Sequence, residues 1–214
     1  NVRKYDCYST GLITRKKLEE LRQSMSDSLF AANYKLKHIA DADAMFKNPQ
    51  FVKDELLIHG GMAHIDAAYD GEDGTGYTAM KRLKDGRIIG IGKLWHRHVD
   101  DCLSEIQALH NKLKIGSISC EKNADKGYLA KELVRMGFRA EVYSESMNKY
   151  IKISTFLRKN WGNIFWLEDT DSEYINEILD YSEFADHDDS PDSAASLLRK
   201  MENRVYYNPV KGGI

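Results

Sequence analysis

The chain has only three cysteines, Cys7, Cys102 and Cys120, and no CxxC pair, so it offers neither a disulfide framework nor a thiolate zinc site. No apolar run approaches the roughly 18 residues needed to cross a bilayer. The start NVRKYDCYST also lacks the apolar core of a secretion signal, so a cytosolic location is the default expectation. A GxxxxGKS or GxxxxGKT phosphate loop is missing, and with it any expectation that this chain hydrolyses ATP. No HExxH pattern accompanies His96 and His98, which alternate along a predicted strand, so a zinc site is not expected there. Internal repeats and low-complexity tracts are absent as well. With 42% hydrophobic and 30% charged residues, the chain has enough apolar surface to fold around a core. Its 214 residues suit one α/β core plus an extension better than two full domains.

The formal net charge of −2 conceals a segregation. Eleven of the 33 acidic residues fall between Glu168 and Asp192, a stretch without Lys or Arg, so the rest of the chain is basic. Such a run forms either a solvated acidic face or an acidic site in a basic body. The second arrangement suits an enzyme that cuts a polyanion, because bases hold phosphates while carboxylates hold metal ions.

Residues 12–25 place Leu12, Leu18, Leu21 and Met25 at near-helical spacing, and 27–40 continue in a mixed helical pattern. Pro49 predicts a break, so residues 1–54 are expected to be a helical linker or extension and 55–214 the main domain. Strands are predicted over 62–69, 77–83 and 87–96, separated by GEDGTG and KDG, which implies an antiparallel three-strand meander. An amphipathic helix over 99–114 follows, then a strand over 116–121, a helix over 126–136 stopped by Gly137, and a strand over 140–144. A helix over 148–159, a strand over 163–167 and helices over 172–182 and 191–203 complete the pattern. The expected fold class is therefore α/β, a mixed sheet with meander and parallel strands and with helices on both faces.

Three acidic constellations are candidates to carry chemistry. Asp66 lies near the middle of an otherwise apolar predicted strand, where its charge needs an offset such as a divalent cation or amides of the turn that also holds Asp70 and Asp73. DGEDGTG also reads as a phosphate-cradling loop of the actin-like kinase type, although the chain is short for two such lobes. Glu121 ends the apolar strand GSISCE, and Asn123 or Asp125 beyond it is a candidate helix cap. In ADHDDSPDSAASLLRKM, Ser190 is a candidate cap, Pro191 suits the first helical position, and Asp192 falls in the first turn. Capping and the helix dipole account for one or two of these acids but not for His187, Asp188, Asp189 and Asp192 together. Lys149 and Lys152 share one face of a predicted helix, a solvated basic face or a phosphate contact.

Taken in order, HIDAAYDGEDGTGYTAM, SCEKNADKG, MNKYIKI and HDDSPDSAASLL resemble the carboxyl-terminal nuclease domain of the large terminase subunit of tailed double-stranded DNA bacteriophages, over residues 55 to 203. The resemblance implies an RNase H-like fold and an endonuclease that uses two Mg2+ or Mn2+ ions to cut concatemeric double-stranded DNA during genome packaging. It matches Asp66 to the first-strand aspartate, Glu121 to the acid after the later strand, and Asp192 or Asp189 to the acid that starts the last helix, with Asp73 auxiliary. Lys149 and Lys152 would position DNA, and His187 would relay a proton. The implied partners are an amino-terminal packaging ATPase domain of the same protein, a portal protein and a small terminase subunit, in the cytoplasm of a bacterial host. A junction resolvase or transposase of the same fold, and a non-catalytic portal or motor docking module, are the competing readings.

Overall fold

The computed structural model describes residues 13–23, 30, 44–69, 74–122, 127–183, 185 and 187–206, the last three by backbone alone. Asp70, Asp73, Asn123, Asp125, Cys7 and nearly all of the helix expected over 27–40 lie outside the described residues. Helix α1 spans Arg15–Gln23 and buries Leu18 in a small cluster with Phe30.

Apolar alternation and tight turns build the meander. Strands β2 (Met62–Asp66), β3 (Thr75–Arg82) and β4 (Ile88–Trp95) pair antiparallel. At the β3–β4 turn Gly86 takes φ 93°, and the Asp85 carboxylate accepts from the Arg87 amide. β5 (Ser117–Glu121) then returns parallel to β2, and β6 (Ala140–Tyr143) parallel to β5. On the other side β7 (Ile164–Leu167) lies parallel to β4. A three-residue strand β1 (Gln50–Val52), absent from the sequence reading, lies parallel to β7. The seven strands run in the order β1-β7-β4-β3-β2-β5-β6. This is an RNase H-like mixed sheet. Because β1 joins it and Phe46 is buried in its core, the folded unit starts before the boundary expected at residue 55.

Two cores cover the two faces. One packs α2 (Leu103–Lys112) and α3 (Tyr128–Arg135) on the side of Ala63, Ile65 and Ile118. The other packs α5 (Ser172–Asp180) and α6 (Asp189–Tyr206) on the side of Met80 and Trp166, with α4 beside them. Helix α4 is composite, α-helical over Lys149–Lys152 and Arg158–Asn160 and π-helical over Ile153–Leu157 between them. Glycines set the distance of the helices from the sheet. At Gly92 a Cβ would lie 2.1 Å from the Tyr174 ring, and at Gly76 one would lie 2.9 Å from the Asp189 carbonyl oxygen. Cys102 and Cys120 are buried and not in a disulfide, as small core thiols are expected to be. No helix among the described residues is long and apolar enough to cross a membrane.

Candidate metal centre

Parallel pairing places two carboxylates side by side. Ile65 is level with Cys120, so Asp66 and Glu121 follow on the same face at the carboxyl-terminal ends of adjacent strands. Asp66 is the last residue of β2 rather than a mid-strand residue, and it is half-buried. Over this face runs the start of α6, bringing Asp192, which is 2% exposed. The three sequence-predicted acids thus converge although they come from separate elements.

Neighbouring residues fix that approach. His64, two residues before Asp66, contacts the Ser193 hydroxyl through Nδ1 at 3.2 Å and the Tyr143 hydroxyl through Nε2 at 2.9 Å. The Thr78 hydroxyl donates to Ser193 at 2.9 Å and meets the Tyr174 hydroxyl, so a buried polar chain ties α6 and α5 to β2 and β3 beneath the acids. Asp189 accepts from the Gly74 amide at 2.8 Å, which joins the helix start to the head of β3. That amide therefore serves the protein, and Gly76 leaves room for the Asp189 backbone, while the rest of the turn read as a phosphate cradle lies outside the described residues. Ser190 is not the cap either. The helix begins at Asp189, and Glu177 accepts from the Asp189 amide at 2.9 Å and from the Ser190 hydroxyl.

The basic residues differ from expectation. Lys149 remains half-exposed and pairs with Asp188 at 2.8 Å. Lys152 is 1% exposed, with its ammonium 2.8 Å from Asp192 and 3.8 Å from Glu145, so a surface contact to DNA phosphate does not fit it. The physical reason is the acid cluster, since a buried carboxylate demands a counter-charge. Glu145, which the sequence reading missed, is clamped by both of its oxygens on Arg199 and accepts from the Ser146 and Met147 amides at 2.7 Å. His187 is exposed and borders a cleft with Glu177 and Asp189. His96 bonds Glu173 at 2.9 Å.

Electrostatics follow from crowding. Burial first, and then the charge of Asp192, holds the Asp66 carboxyl well above the usual range, against the opposing pull of Lys149. Burial likewise raises Glu121, while Lys152 opposes and Asp192 adds to the rise. Burial pushes Glu145 up, but Arg199 and the two amides outweigh it and hold the carboxyl at about 2. Burial pushes Glu177 up to about 7 despite its bond from Ser190.

Glu177 gives a pH signature. The fold binds this proton more tightly than the unfolded chain, in which glutamate titrates near 4.5, so its contribution is full below that value and is lost as pH rises through about 7. The melting temperature in EDTA should therefore fall across that interval, and Glu177→Gln should make the fall shallower. An unchanged slope in the variant would refute the assignment.

Donor chemistry fits a hard divalent cation, since the converging groups are carboxylates. Asp192 Oδ1 is buried, and its contact with Lys152 lacks the alignment of a hydrogen bond, so the atom keeps an unsatisfied lone pair. Among the described residues no three His, Cys, Asp or Glu side chains stand close enough to enclose an ion as they are.

No family model matches the chain, and no curated protein is significantly similar to it in sequence. Solved structures do match. The large terminase nuclease domain of bacteriophage SPP1 with bound Mn aligns at a TM-score of 0.53 and 14% identity, over 74% of this chain and 99% of that one. The large terminase nuclease of thermophilic phage G20c with bound zinc aligns at 0.51 and 13%, over 73% of this chain and 94% of that one. The chain therefore carries the fold of the nuclease domains of phage large terminases.

Proposed function

We propose that this chain is a metal-dependent DNA endonuclease, the nuclease part of a large terminase that cuts concatemeric double-stranded DNA during phage genome packaging. The observation that carries the reading is the convergence of Asp66, Glu121 and Asp192 from two adjacent parallel strand ends and one helix start. It is supported by the shared fold with nuclease domains that hold Mn or zinc. Asp66, Glu121 and Asp192 would hold Mg2+ or Mn2+, two ions in the full reading, with Asp189 and Asp73 as further candidates. Bound there, such ions supply an activated water and stabilise the leaving oxygen of a phosphodiester. Asp192 fits the third position better than Asp189, whose carboxylate is engaged by the Gly74 amide.

The chain's own residues do the rest. The polar chain through His64 and Ser193 keeps the acids in register, and Lys149, half-exposed beside them, would meet a phosphate. His187, exposed near Asp189, is the candidate proton relay. Little base preference follows, because phosphate contacts position DNA without reading it. An amino-terminal packaging ATPase domain, a portal and a small terminase subunit would be its partners in the cytoplasm of a bacterial host.

Supercoiled plasmid incubated with the purified chain and Mg2+, Mn2+, Ca2+ or EDTA tests this. Nicking and linearisation with Mn2+ or Mg2+, abolished by EDTA, is the expected result. Preferential cutting of a four-way junction in competition with linear duplex would instead favour a resolvase, and no cutting with any metal would overturn the nuclease.

A further inference from the structure

Lys152 stands between two anions. Its ammonium is 2.8 Å from Asp192 and 3.8 Å from Glu145, and all three side chains are nearly sealed from solvent, at 1%, 3% and 7% exposure. A buried cation with one anion is a fixed pair. One with a second anion about an ångström farther away has somewhere else to go. Glu145 is built to be that alternative, because Arg199, seven residues beyond Asp192 on the same face of α6, and the Ser146 and Met147 amides hold it in place without help from Lys152. Asp192 is the less settled partner, since its Oδ1 lacks an aligned hydrogen bond despite the short contact.

We propose that Lys152 is an exchangeable counter-ion, which neutralises Asp192 in the metal-free protein and moves onto Glu145 when Asp192 turns to a divalent cation. The inference rests on the metal site proposed above. Exchange avoids two unfavourable states. Without it, Asp192 would lie as a lone buried charge before metal arrives, or Lys152 would lie as one afterwards. Glu145 is then a positioning residue that acts on the metal site through Lys152, and the balance between the two anions sets how readily the site accepts an ion.

Two substitutions should act in opposite directions. Lys152→Met removes the competitor for Asp192 and should tighten Mn2+ binding by about tenfold, within the range that groups around metal ligands contribute. Glu145→Gln keeps an acceptor for Arg199 but removes the alternative charge, and should weaken Mn2+ binding by a similar factor. Calorimetric titration of the full chain with MnCl2 reads both, beside wild type and Asp66→Asn. In EDTA, Lys152→Met should also melt below wild type and recover the difference when Mn2+ is added. A failure of Lys152→Met to fold without metal leaves Glu145→Gln, which retains the lysine, to decide. If both variants shift affinity in the same direction, or neither shifts it, the exchange is wrong while the metal site stands. If wild type takes up no Mn2+, the metal site itself is wrong, and the exchange with it.

Discussion

Asp66→Asn should lower metal-dependent plasmid cleavage by about 10^3-fold or more, since a bound ion contributes several kcal/mol to the transition state and each 1.36 kcal/mol is a factor of ten. The same change should leave the fold intact. Burial and the charge of Asp192 already disfavour the ionised carboxylate, so a neutral amide of the same shape relieves repulsion, and the melting temperature in EDTA should hold or rise. Loss of activity with retained stability separates a ligand from a structural acid. Residual cleavage within tenfold of wild type would show that Asp66 is not a ligand. Glu121→Gln should behave alike, because burial raises its carboxyl too. Asp192→Asn should lose activity in the same way, at only a modest cost in stability, because the buried Lys152 ammonium then has Glu145 to pair with.

The largest effect on stability is expected from Gly92→Ala. A methyl there would lie 2.1 Å from Cε1 of Tyr174 and 2.2 Å from Cδ1, far inside contact distance, while Tyr174 is completely buried. The ring must move, and with it the hydroxyl that meets Thr78 at one end of the chain leading to Ser193 and His64. A loss of about 3 kcal/mol, the upper end for overpacking, is expected in urea denaturation. Trimming the ring with Tyr174→Ala should make the added methyl much less costly in a double-variant cycle. Equal costs in both backgrounds would show that the contact does not govern the site.

The meander, the alternating units and the helix stop at Gly137 were legible because each is written locally, in strand alternation, tight turns and a glycine that takes φ 91°. Asp66, Glu121 and Asp192 were legible for a related reason. A carboxylate beside an apolar run, or crowded at a helix start, is out of place unless something offsets it. Strand β1 was not legible, as its three residues are held by register with Phe165 and its neighbours, more than a hundred positions away. Lys152 looked like one of several surface bases because its sequence neighbours say nothing of the acids above it. Glu145 and the His64–Ser193 contact were hidden in the same way, since each has its meaning in a partner on α6. Charge segregation showed that acids gather within a basic body, but not which base would be drawn in among them.

The five-residue π-helical turn after Lys152 adds a rung to α4 that a straight α-helix would not have. Each residue turns an α-helix by about 100°, so the extra one sets the half bearing Lys152 out of phase with the half ending at Asn160. Ile153 and Leu157 still face the core, while the lysine points at α6. Deleting one residue between 153 and 157 would not merely shorten the helix. It would swing one half by more than a quarter-turn, and either the lysine or the apolar stripe would lose its place. When relatives of this chain are aligned, a single-residue gap in this stretch should coincide with a cation displaced by one position, so that indels here report on the inner counter-charge rather than on the surface.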